Sequence, residues 1–588
     1  MNHKKLLLTL TLCLCALLCM VVTASASEVQ NTGSHSHALC EWLGDNCTDP
    51  AHSEGNHGSV TFEKALTMND NGVLCIGGTE AQKHNGENYD YILQGGTYYL
   101  DGDLILHGGI QVNGSVTLCL NGHAISNDYS HVIQTPSGGD ATFTLCDCKG
   151  EGKIAHVENS DSTGAGVSLN NTARKQQAFI MYNGCITQNK GSGVYLYQDT
   201  SFTMYGGSIT KNNADKYGCG GGVYVHSEAT FTMSGGEITK NQADYGGGVY
   251  VGSETANFTM SGGSITGNHA NNSGGGIYSN SDNISIYGGS VTDNSVTKRG
   301  KAGGIYVSDS GTLTVGGNVN ISGNWKGDSE ESGSKNNVYL DYYNGAFATI
   351  VIEKKLTGAP IGITTANAPT AGNPVTIVTG NSIEEAYNKH SFQADNAAYG
   401  VSYNSTDKVL QLHKHSGGTA TCMAKASCET CGEPYGNLAP NNHDLTHHDA
   451  QSPTCTETGH TAYSKCDRSG CNYEEGYELI PKLNHAFAAA WEHDDNKHWH
   501  KCTRDGCTGV DAEAAHEWQP ATYTAPKTCT VCGATQGEPL TRSYYYYAPS
   551  AAEDKKDSPK AGDPGVLLYA GLALASLTGL TYTAKKRH

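Results

Sequence analysis

Short cysteine pairs separated by histidines are the residues whose types and spacing point most directly to chemistry. Four such pairs recur between residues 413 and 540, two with a gap of two residues and two with a gap of four. They are Cys428 and Cys431, Cys466 and Cys471, Cys502 and Cys507, and Cys529 and Cys532. Single histidines alternate with the pairs along the chain: His415, His443, His485 and His516.

A cysteine pair on a tight turn, joined by two distant histidines, makes a tetrahedral site that suits Zn²⁺. We therefore expect structural zinc, because no site combines an open position with an acid–base partner. A further set near the N-terminus also fits one tetrahedral ion: His37, Cys40, Cys47 and His52. The alternative is disulfides, for which Cys422 and Cys455 are better spaced than the strained pairs.

The composition narrows the class of protein. The chain has 588 residues, 74 glycines, 21 cysteines and a formal net charge of -20. This acidic balance argues against a nucleic-acid partner, and so many cysteines are unusual for a cytosolic enzyme unless they hold metal. The remaining cysteines between the two ends are expected to pack or to pair singly: Cys75, Cys119, Cys146, Cys148, Cys185 and Cys219.

Both ends of the chain read as targeting segments. Residues 1–26 combine two lysines, an apolar run and small residues before a cleavage point, which is typical of a secretory signal peptide. Residues 566–588 combine an uncharged hydrophobic run with a basic tail, which predicts a transmembrane helix with a cytoplasmic tail. We therefore expect an exported protein that is anchored at the cell surface, in the wall or the membrane.

The segment before this hydrophobic run resembles the sorting signal of Gram-positive cell-wall proteins, in which a Leu-Pro-x-Thr-Gly box precedes the span. Pro559 and Gly562 match the box, whereas Ser558 replaces the Leu and Ala561 replaces the Thr that sortase attacks. The resemblance implies sortase and the cell wall as partners, with Pro559, Ala561 and Gly562 as the motif. A plain single-span anchor is the alternative.

The elements that must carry these sites come from an internal repeat. A Gly-Gly-x-Ile or Val unit recurs from Gly206 to Gly316 every 26–29 residues. A Phe-Thr-Met phrase and a Val-Tyr or Ile-Tyr phrase recur in constant order beside it. Each phrase alternates with period two, so each reads as a short strand. Three strands per turn, closed by Gly and Asn corners, predict an all-β, right-handed parallel β-helix.

The repeat divides the chain into segments. We predict a signal peptide (1–26), an N-terminal Cys/His segment and cap (27–80), the β-helix (81–352), a β-rich cap (353–412), Cys/His-rich modules (413–540), a linker with the sorting-like motif (541–565) and the membrane anchor with its basic tail (566–588).

The Gly-Gly-x-Ile and Phe-Thr-Met phrases resemble the repeats of polymorphic outer-membrane proteins and the β-helix regions of surface proteins from Firmicutes. The Cys/His region is similar to Cys/His-rich repeats near the wall anchor of Clostridia-type surface proteins. The resemblance implies a surface protein with a pectin lyase-like fold. It does not choose an activity, because this solenoid hosts lyases, hydrolases and adhesins alike.

One face of the repeat carries a row of aromatic residues: Tyr195, Tyr224, Tyr250, Tyr278 and Tyr306. Stacked aromatic side chains suit a binding surface for a glycan or protein, and a self-supporting ladder is the alternative. A loose acidic row that includes Glu228 and Glu254 fits Ca²⁺ or solvated corners. No carboxylate pair recurs in phase, so we assign no catalytic residue.

The sequence therefore favours an adhesin or ligand-binding protein that presents its β-helix to a host or environmental partner, such as a glycan, mucin, matrix protein or immunoglobulin. Two alternatives stay open. One is an extracellular polysaccharide lyase or glycoside hydrolase, and the other is a purely structural surface protein.

Overall fold

The computed structural model describes residues 35–39, 59–81, 83, 89–158, 160–214, 218–308, 311–370 and 372–543. Within these residues the chain forms two compact units. The first holds the residues up to Leu445 together with Cys466–Tyr473, and the second holds Thr446–Lys465 together with the residues from Glu474 onward.

The first unit is all-β with long parallel sheets, as predicted, and is consistent with a β-helix or solenoid. The chain passes through three ladders of short strands and returns to the same register one turn later. Phe231, for example, pairs with Phe258 of the next turn, and Tyr224 pairs with Tyr250. The period-two phrases thus become neighbouring parallel strands.

The first ladder contains the Phe-Thr-Met phrases. Its parallel strands are Gly96–Leu100, Gly114–Cys119, Ala141–Cys146, Gln177–Met181, Thr200–Met204, Thr230–Met233, Asn257–Met260, Ile284–Thr292, Thr312–Ser322, Thr349–Leu356 and Val375–Gly380. The second ladder contains the Gly-Gly-x-Ile phrases. Its strands are Leu104–Leu106, Ala124–Asn127, Lys153–His156, Cys185–Thr187, Ser208–Thr210, Glu237–Thr239 and Ser264–Thr266, after which it continues in Ile284–Thr292 and Thr312–Ser322.

The third ladder contains the tyrosine phrases and extends beyond residue 352, the end of the solenoid expected from the sequence. Its strands are Tyr89–Leu93, Gly109–Val112, Ile133–Gln134, Val167–Leu169, Val194–Leu196, Val223–Val225, Val249–Val251, Ile277–Ser279, Ile305–Val307, Val338–Leu340, Ile361–Thr365 and Phe392–Ala394. The last two strands keep the parallel pairing but lack the Gly-rich phrase of the repeat. The repeat pattern therefore does not predict them.

A smaller sheet, here called the side sheet, forms at the corner between the second and third ladders. Its strands are Gln242–Tyr245, His269–Ser273, Ser295–Val296, Trp325–Lys326 and Ser334–Lys335. The repeat does not predict this sheet, because its strands lie where the length of the repeat varies.

The core of the solenoid is a continuous stack of inward-facing side chains. Its centre is a column of parallel phenylalanine rings whose centroids lie 4.6–5.3 Å apart. The members are Phe143, Phe179, Phe202, Phe231 and Phe258, all fully buried. No single coil can bury such a face alone, so each coil depends on its neighbours.

Buried asparagines line one corner of six successive coils, as the sequence predicts. Each amide donates to the side-chain oxygen of the next, from Asn189 through Asn212, Asn241, Asn268 and Asn294 to Asn324, at 2.8–3.0 Å. The chain of amides continues through Asn337 to the carboxylate of Asp395. A glycine such as Gly236, with φ +78°, supplies the left-handed backbone at another corner.

Short elements close the two ends of the solenoid. At the start, Lys64–Met68 pairs in parallel with the first ladder, and the strands His35–Ala38, Ser59–Phe62, Leu74–Ile76 and Thr79–Glu80 are antiparallel. At the far end, Tyr399–Asn404 and Val409–Lys414 form an antiparallel hairpin beside the helix Ile383–Asn388. A further hairpin joins Tyr342–Tyr343 to Ala346–Phe347.

The Cys/His-rich region consists of two- to six-residue strands in small antiparallel sheets. They are Ala426–Ser427, Pro434–Tyr435, Leu445–His448, Gly459–His460, Tyr463–Cys466, Glu474–Glu475, Leu479–Ile480, Glu492–His493, Lys497–Lys501, Val510–Ala515, Trp518–Gln519, Lys527–Cys529 and Thr535–Gln536. Such short hairpins need another source of stability.

Several predictions concern residues outside the described ranges. These are the signal peptide, the sorting-like motif with Pro559, Ala561 and Gly562, the C-terminal anchor, and Cys40, Cys47 and His52. Within the part of the chain that the structure describes, no helix has the length and apolar character needed to cross a membrane.

Candidate metal centres and ligand groove

Five groups of histidine and cysteine side chains converge in the described residues, each with four ligand atoms within 4.8 Å of one another. Four lie in the Cys/His-rich region and one lies at the start of the solenoid. Each of the four predicted cysteine pairs belongs to a different group, together with the histidine that precedes it.

The first knuckle cluster contains His413, His415, Cys428 and Cys431. The two histidines alternate at the end of a strand and therefore share one face. The cysteines lie on a turn in which the Gly432 N–H donates to the Cys428 carbonyl and the Cys428 N–H donates to the Glu433 carbonyl. Cys428 Sγ lies 3.5 Å from His413 Nε2, and Cys431 Sγ lies 3.7 Å from His415 Nδ1.

The second knuckle cluster contains His498, His516, Cys529 and Cys532 and repeats this turn. Here the Gly533 N–H donates to the Cys529 carbonyl, and the Cys529 N–H donates to the Ala534 carbonyl. Cys532 Sγ lies 3.4 Å from His516 Nδ1. His516 Nε2 is 2.8 Å from the Asp494 carbonyl oxygen, which fixes the ring so that Nδ1 faces the centre.

The first loop cluster contains Cys422, His443, Cys466 and Cys471. Cys422 and Cys466 lie with their sulfurs 3.8 Å apart, and Cys471 Sγ is 3.5 Å from His443 Nδ1. The Tyr473 ring stacks on His443 with centroids 3.8 Å apart. The Arg468 guanidinium donates to the Asn442 carbonyl and holds this loop in place.

The second loop cluster contains Cys455, His485, Cys502 and Cys507. The sulfurs of Cys455 and Cys502 are 3.7 Å apart, and His485 Nδ1 lies 3.1 Å from Cys507 Sγ. Both loop clusters share a Cys-x-Arg-x-Gly-Cys phrase, which explains why their two cysteines are separated by four residues.

These separations fit a tetrahedral metal site better than a disulfide. In a tetrahedron with zinc–ligand bonds of about 2.0–2.3 Å, neighbouring ligand atoms lie roughly 3.3–3.8 Å apart. A disulfide requires sulfurs at about 2.05 Å. The observed distances of 3.4–3.8 Å for Cys532–His516, Cys471–His443 and Cys422–Cys466 lie in the metal range. No disulfide bond joins any two of the described cysteines in the structure.

Hydrogen bonding prepares one thiolate in each of these four clusters. Burial disfavours the Cys428 thiolate, but hydrogen bonds from the backbone at Ser416 and from His415 outweigh it and lower its pKa to about 5. The pKa values of the corresponding thiols of Cys466, Cys502 and Cys529 fall to about 6 by the same balance of burial against backbone hydrogen bonds. Thiolates are the form of cysteine that binds metal.

Four of the cluster positions were not predicted from the sequence. His413 and His498 carry no spacing signal, because each reaches its cysteines only through the fold. Cys422 and Cys455, expected as candidates for a disulfide bridge, instead join the clusters of the following repeat. Both follow a threonine whose hydroxyl accepts backbone N–H bonds in the same turn, at Thr421 and Thr454.

The fifth group, the N-terminal cluster, brings His37 together with His35, Cys119 and Cys148. Cys40, Cys47 and His52, which local spacing places with His37, lie outside the described residues, so that part of the ligand set stays a prediction. Cys119 and Cys148, expected to pack or pair singly, are brought together by the parallel register of successive coils, in which Cys119 pairs with Cys146.

The tyrosine row is assembled in register on the third ladder. Tyr195, Tyr224, Tyr250, Tyr278, Tyr306 and Tyr339 stack with centroids 4.7–5.8 Å apart. The rings are half-buried and Tyr306 is buried, because the side sheet borders the row: Tyr245 meets Tyr278 edge-on. Burial raises the pKa of Tyr224 and Tyr250, which keeps both phenols protonated.

A groove of about 760 Å³ opens at the start of this row. The same corner of four consecutive coils lines it, between the second and third ladders. Asp128 and Tyr129 come from the first of these corners, Asp161 from the second, and Tyr195 and Tyr224 form the floor beside them. His131 lies at the base, where burial lowers its pKa to about 4 and keeps it neutral.

The acidic row does not form a comparable site. Glu228 lies 3.4 Å from the Arg174 guanidinium, and Glu254 and Asp282 are exposed. Asp309 lies outside the described residues. A calcium ion therefore stays a prediction from the sequence.

Comparisons with protein-family models, with curated proteins and with solved structures find no match for this chain.

Proposed function

We propose that this protein is an exported cell-surface protein that binds an extended neutral glycan in the groove beside the tyrosine row. In this proposal the solenoid is a right-handed parallel β-helix, and the Cys/His-rich region is a zinc-stabilised segment between the solenoid and a C-terminal surface anchor. Parallel strand connections are right-handed in about 98% of cases, which supports the handedness.

The groove is the observation that carries the proposal. It combines aromatic rings with hydroxyl and carboxylate side chains in a concave surface, which is the composition of a small-molecule or oligosaccharide site. Tyr129 stands at its rim with 57% of its surface exposed, and its ring stacks on His107. An exposed, preorganised ring of this kind offers a large contact area at low entropic cost.

The charge of the groove indicates the class of ligand. Asp128 and Asp161 line it, and its described lining contains no lysine or arginine. A polyanionic ligand such as a sulfated or uronic-acid chain would face repulsion from these carboxylates. A neutral sugar chain, by contrast, can donate hydrogen bonds from its hydroxyls to the carboxylates and pack its apolar faces on the tyrosines.

The experiment is a glycan array screened with the full chain, followed by titration of each hit. We expect Tyr129→Ala to weaken binding by about tenfold or more, which is typical for removal of one aromatic anchor. Tyr343→Ala is the matched control, because Tyr343 is also exposed, at 60%, but belongs to the hairpin at Ala346–Phe347. Equal affinities of both variants and the parent, or no neutral glycan bound, would overturn the proposal.

An enzyme is the second candidate, and one observation favours it. Asp128 and Asp161 occupy equivalent corners of successive coils and line the same groove, as the two carboxylates of a glycoside hydrolase would. Asp128 is engaged by His107 at 2.9 Å, which leaves Asp161 as the freer carboxylate. Product analysis on a bound glycan, with Asp161→Asn as the test, separates cleavage from binding alone.

The scarcity of buried hydrophobic side chains in the Cys/His-rich region supports zinc in its four clusters. From Ser416 to Arg542, the buried hydrophobic side chains among the described residues are ligand cysteines together with Ala426 and Ala534. A region without an apolar core of its own needs metal or disulfides to fold. Quantification of metal in the purified full chain tests this, with four bound zinc ions expected from these clusters.

Surface anchoring rests on the sequence of the C-terminus and its resemblance to sortase substrates. Fractionation of the producing cell distinguishes the two anchors. Release by a cell-wall hydrolase supports sortase attachment at the Pro559–Gly562 motif, whereas extraction by detergent alone supports the plain membrane anchor.

A further inference from the structure

The N-terminal cluster joins residues that are far apart in sequence. His35 and His37 alternate on the strand His35–Ala38 and therefore point to one face. This strand pairs with Ser59–Phe62, so the two histidines are held over the first ladder. Cys119 is the last residue of one strand of that ladder, and Cys148 lies two positions beyond Cys146, the last residue of the next strand. The cluster thus connects the N-terminal hairpin to two successive coils.

The four ligand atoms have the spacing of a tetrahedral site. Cys119 Sγ lies 3.3 Å from His35 Nε2 and 3.2 Å from His37 Nε2, and Cys148 Sγ lies 3.4 Å from His35 Nε2. Tetrahedral zinc places neighbouring ligand atoms roughly 3.3–3.8 Å apart. Two thiolates and two imidazoles form a ligand set that binds zinc in preference to calcium or magnesium.

The surroundings orient both imidazoles. His37 Nδ1 is 2.9 Å from the Ala38 carbonyl oxygen, which leaves Nε2 free to face the sulfurs. The Phe62 ring stacks on His37 at 4.7 Å, and the Tyr99 ring stacks on His35 at 4.9 Å. Phe62 and Cys119 are fully buried, so the centre is shielded from water on that side.

We propose that His35, His37, Cys119 and Cys148 bind one structural Zn²⁺ ion that clasps the N-terminal hairpin onto the solenoid. Phe62 of the hairpin packs with Cys119, Cys146 and Tyr182 in a small apolar cluster that is separate from the solenoid core. The metal fastens the hairpin there through residues that are 82–113 positions away. The clasp is independent of the proposed glycan binding, because none of its four cysteine and histidine residues lines the groove.

The competing structure is a disulfide among neighbouring cysteines. Cys146 pairs in register with Cys119 and is buried beside it, so an oxidising environment offers Cys119 this partner. Metal binding and a disulfide exclude each other at Cys119, because a disulfide sulfur is no longer a thiolate ligand.

The experiment measures zinc in the full chain and in single variants. We expect Cys148→Ser to lose one zinc ion per chain while the ions of the other four clusters remain. Cys185→Ser is the control, because Cys185 lies on the next coil and belongs to none of the five groups, and its zinc content should equal that of the parent. A parent-like zinc content in Cys148→Ser would overturn the proposal.

A second variant keeps the test decisive if Cys148→Ser fails to fold. His37→Cys retains four ligands, so it should retain the ion, and in the Co²⁺-substituted protein it should strengthen the sulfur-to-metal charge-transfer band through one added thiolate. An unchanged band would contradict the assignment. Disulfide mapping of protein purified without reductant completes the test: free thiols at Cys119, Cys146 and Cys148 are expected, and a disulfide that includes Cys119 would overturn the clasp.

Discussion

At the scale of the residue, the buried asparagines show how one side chain closes the same corner in six successive coils. Asn241 receives hydrogen bonds from both the backbone N–H and the side-chain amide of Asn212. Its own amide donates to the Ile209 carbonyl at 2.9 Å and to Asn268 at 3.0 Å. All four bonds are buried, so each satisfies a group that would otherwise be costly to desolvate.

We predict that Asn241→Ala destabilises the solenoid by about 3 kcal/mol. The substitution leaves the Asn212 N–H and the Ile209 carbonyl without their buried side-chain partner, and each such group costs about 1–3 kcal/mol. Urea unfolding followed by far-UV circular dichroism measures the effect. The control is Asn283→Ala, since Asn283 is exposed and bonds only to the Glu254 carbonyl through its side chain. Equal unfolding midpoints for both variants would refute a stabilising role of the amide stack.

The sequence predicts the asparagine stack but only part of each metal cluster, for a physical reason. The asparagines recur at the period of the coil, so periodicity alone aligns them. The cysteine pairs can be recognised in the sequence because the two cysteines of each pair lie on one turn. His498 and Cys119 supply single ligands from other strands, and nothing in the sequence around them marks a ligand until the register is known.

At the scale of the element, the first knuckle cluster depends on a glycine in the neighbouring strand, which leaves space for the cysteine and histidine side chains. Gly400 pairs with His413 across the hairpin of the solenoid end. A methyl group on Gly400 would lie 2.5 Å from His415 Cε1 and 3.0 Å from Cys431 Sγ. The hairpin thus leaves space for the cluster at this position.

We predict that Gly400→Ala lowers the zinc content of the full chain by about one ion, because the added Cβ displaces His415 from its place beside Cys431. The measurement is metal quantification after dialysis against a weak chelator. Ser402→Ala provides the control on the same strand, because Ser402 pairs with Gln411 and its hydroxyl donates to the Gln411 carbonyl. Full metal retention in Gly400→Ala would show that the space is not needed.

The strands themselves were largely predictable, and the side sheet was not. A phrase such as Val223–Val225 alternates buried and half-buried residues, which gives a strand directly. The side-sheet strand Gln242–Tyr245 lies at a corner where the repeat varies between 26 and 29 residues, and its pairing shifts register between Ala243 and Tyr245. The spacing is irregular at this corner, so the sequence carries no periodic signal for the side sheet. Without the side sheet, the tyrosine row is predicted to face solvent, whereas the structure covers part of it.

At the scale of the whole molecule, two kinds of stabilisation occur in sequence along one chain. The solenoid buries a continuous apolar core from Leu66 to Leu412. Its stability comes from contact between neighbouring coils and does not require the metal of any one cluster. The Cys/His-rich region buries cysteine and histidine side chains in place of an apolar core, so we expect its folded state to depend on a metal ion that they hold.

We therefore predict that chelation unfolds the Cys/His-rich region and leaves the parallel ladders folded. Limited proteolysis of the full chain with EDTA should cut between Ser416 and Arg542, because the unfolded backbone around lysines and arginines such as Lys425, Arg468 and Arg504 can then enter the protease. It should leave a resistant fragment that contains the Phe143–Phe258 column. Excess Zn²⁺ should restore resistance, whereas Ca²⁺ should not, because thiolate ligands favour the softer ion. Digestion of both regions at equal rates would contradict this division, and so would full resistance of the Cys/His-rich region in chelator, which would indicate disulfides in place of metal.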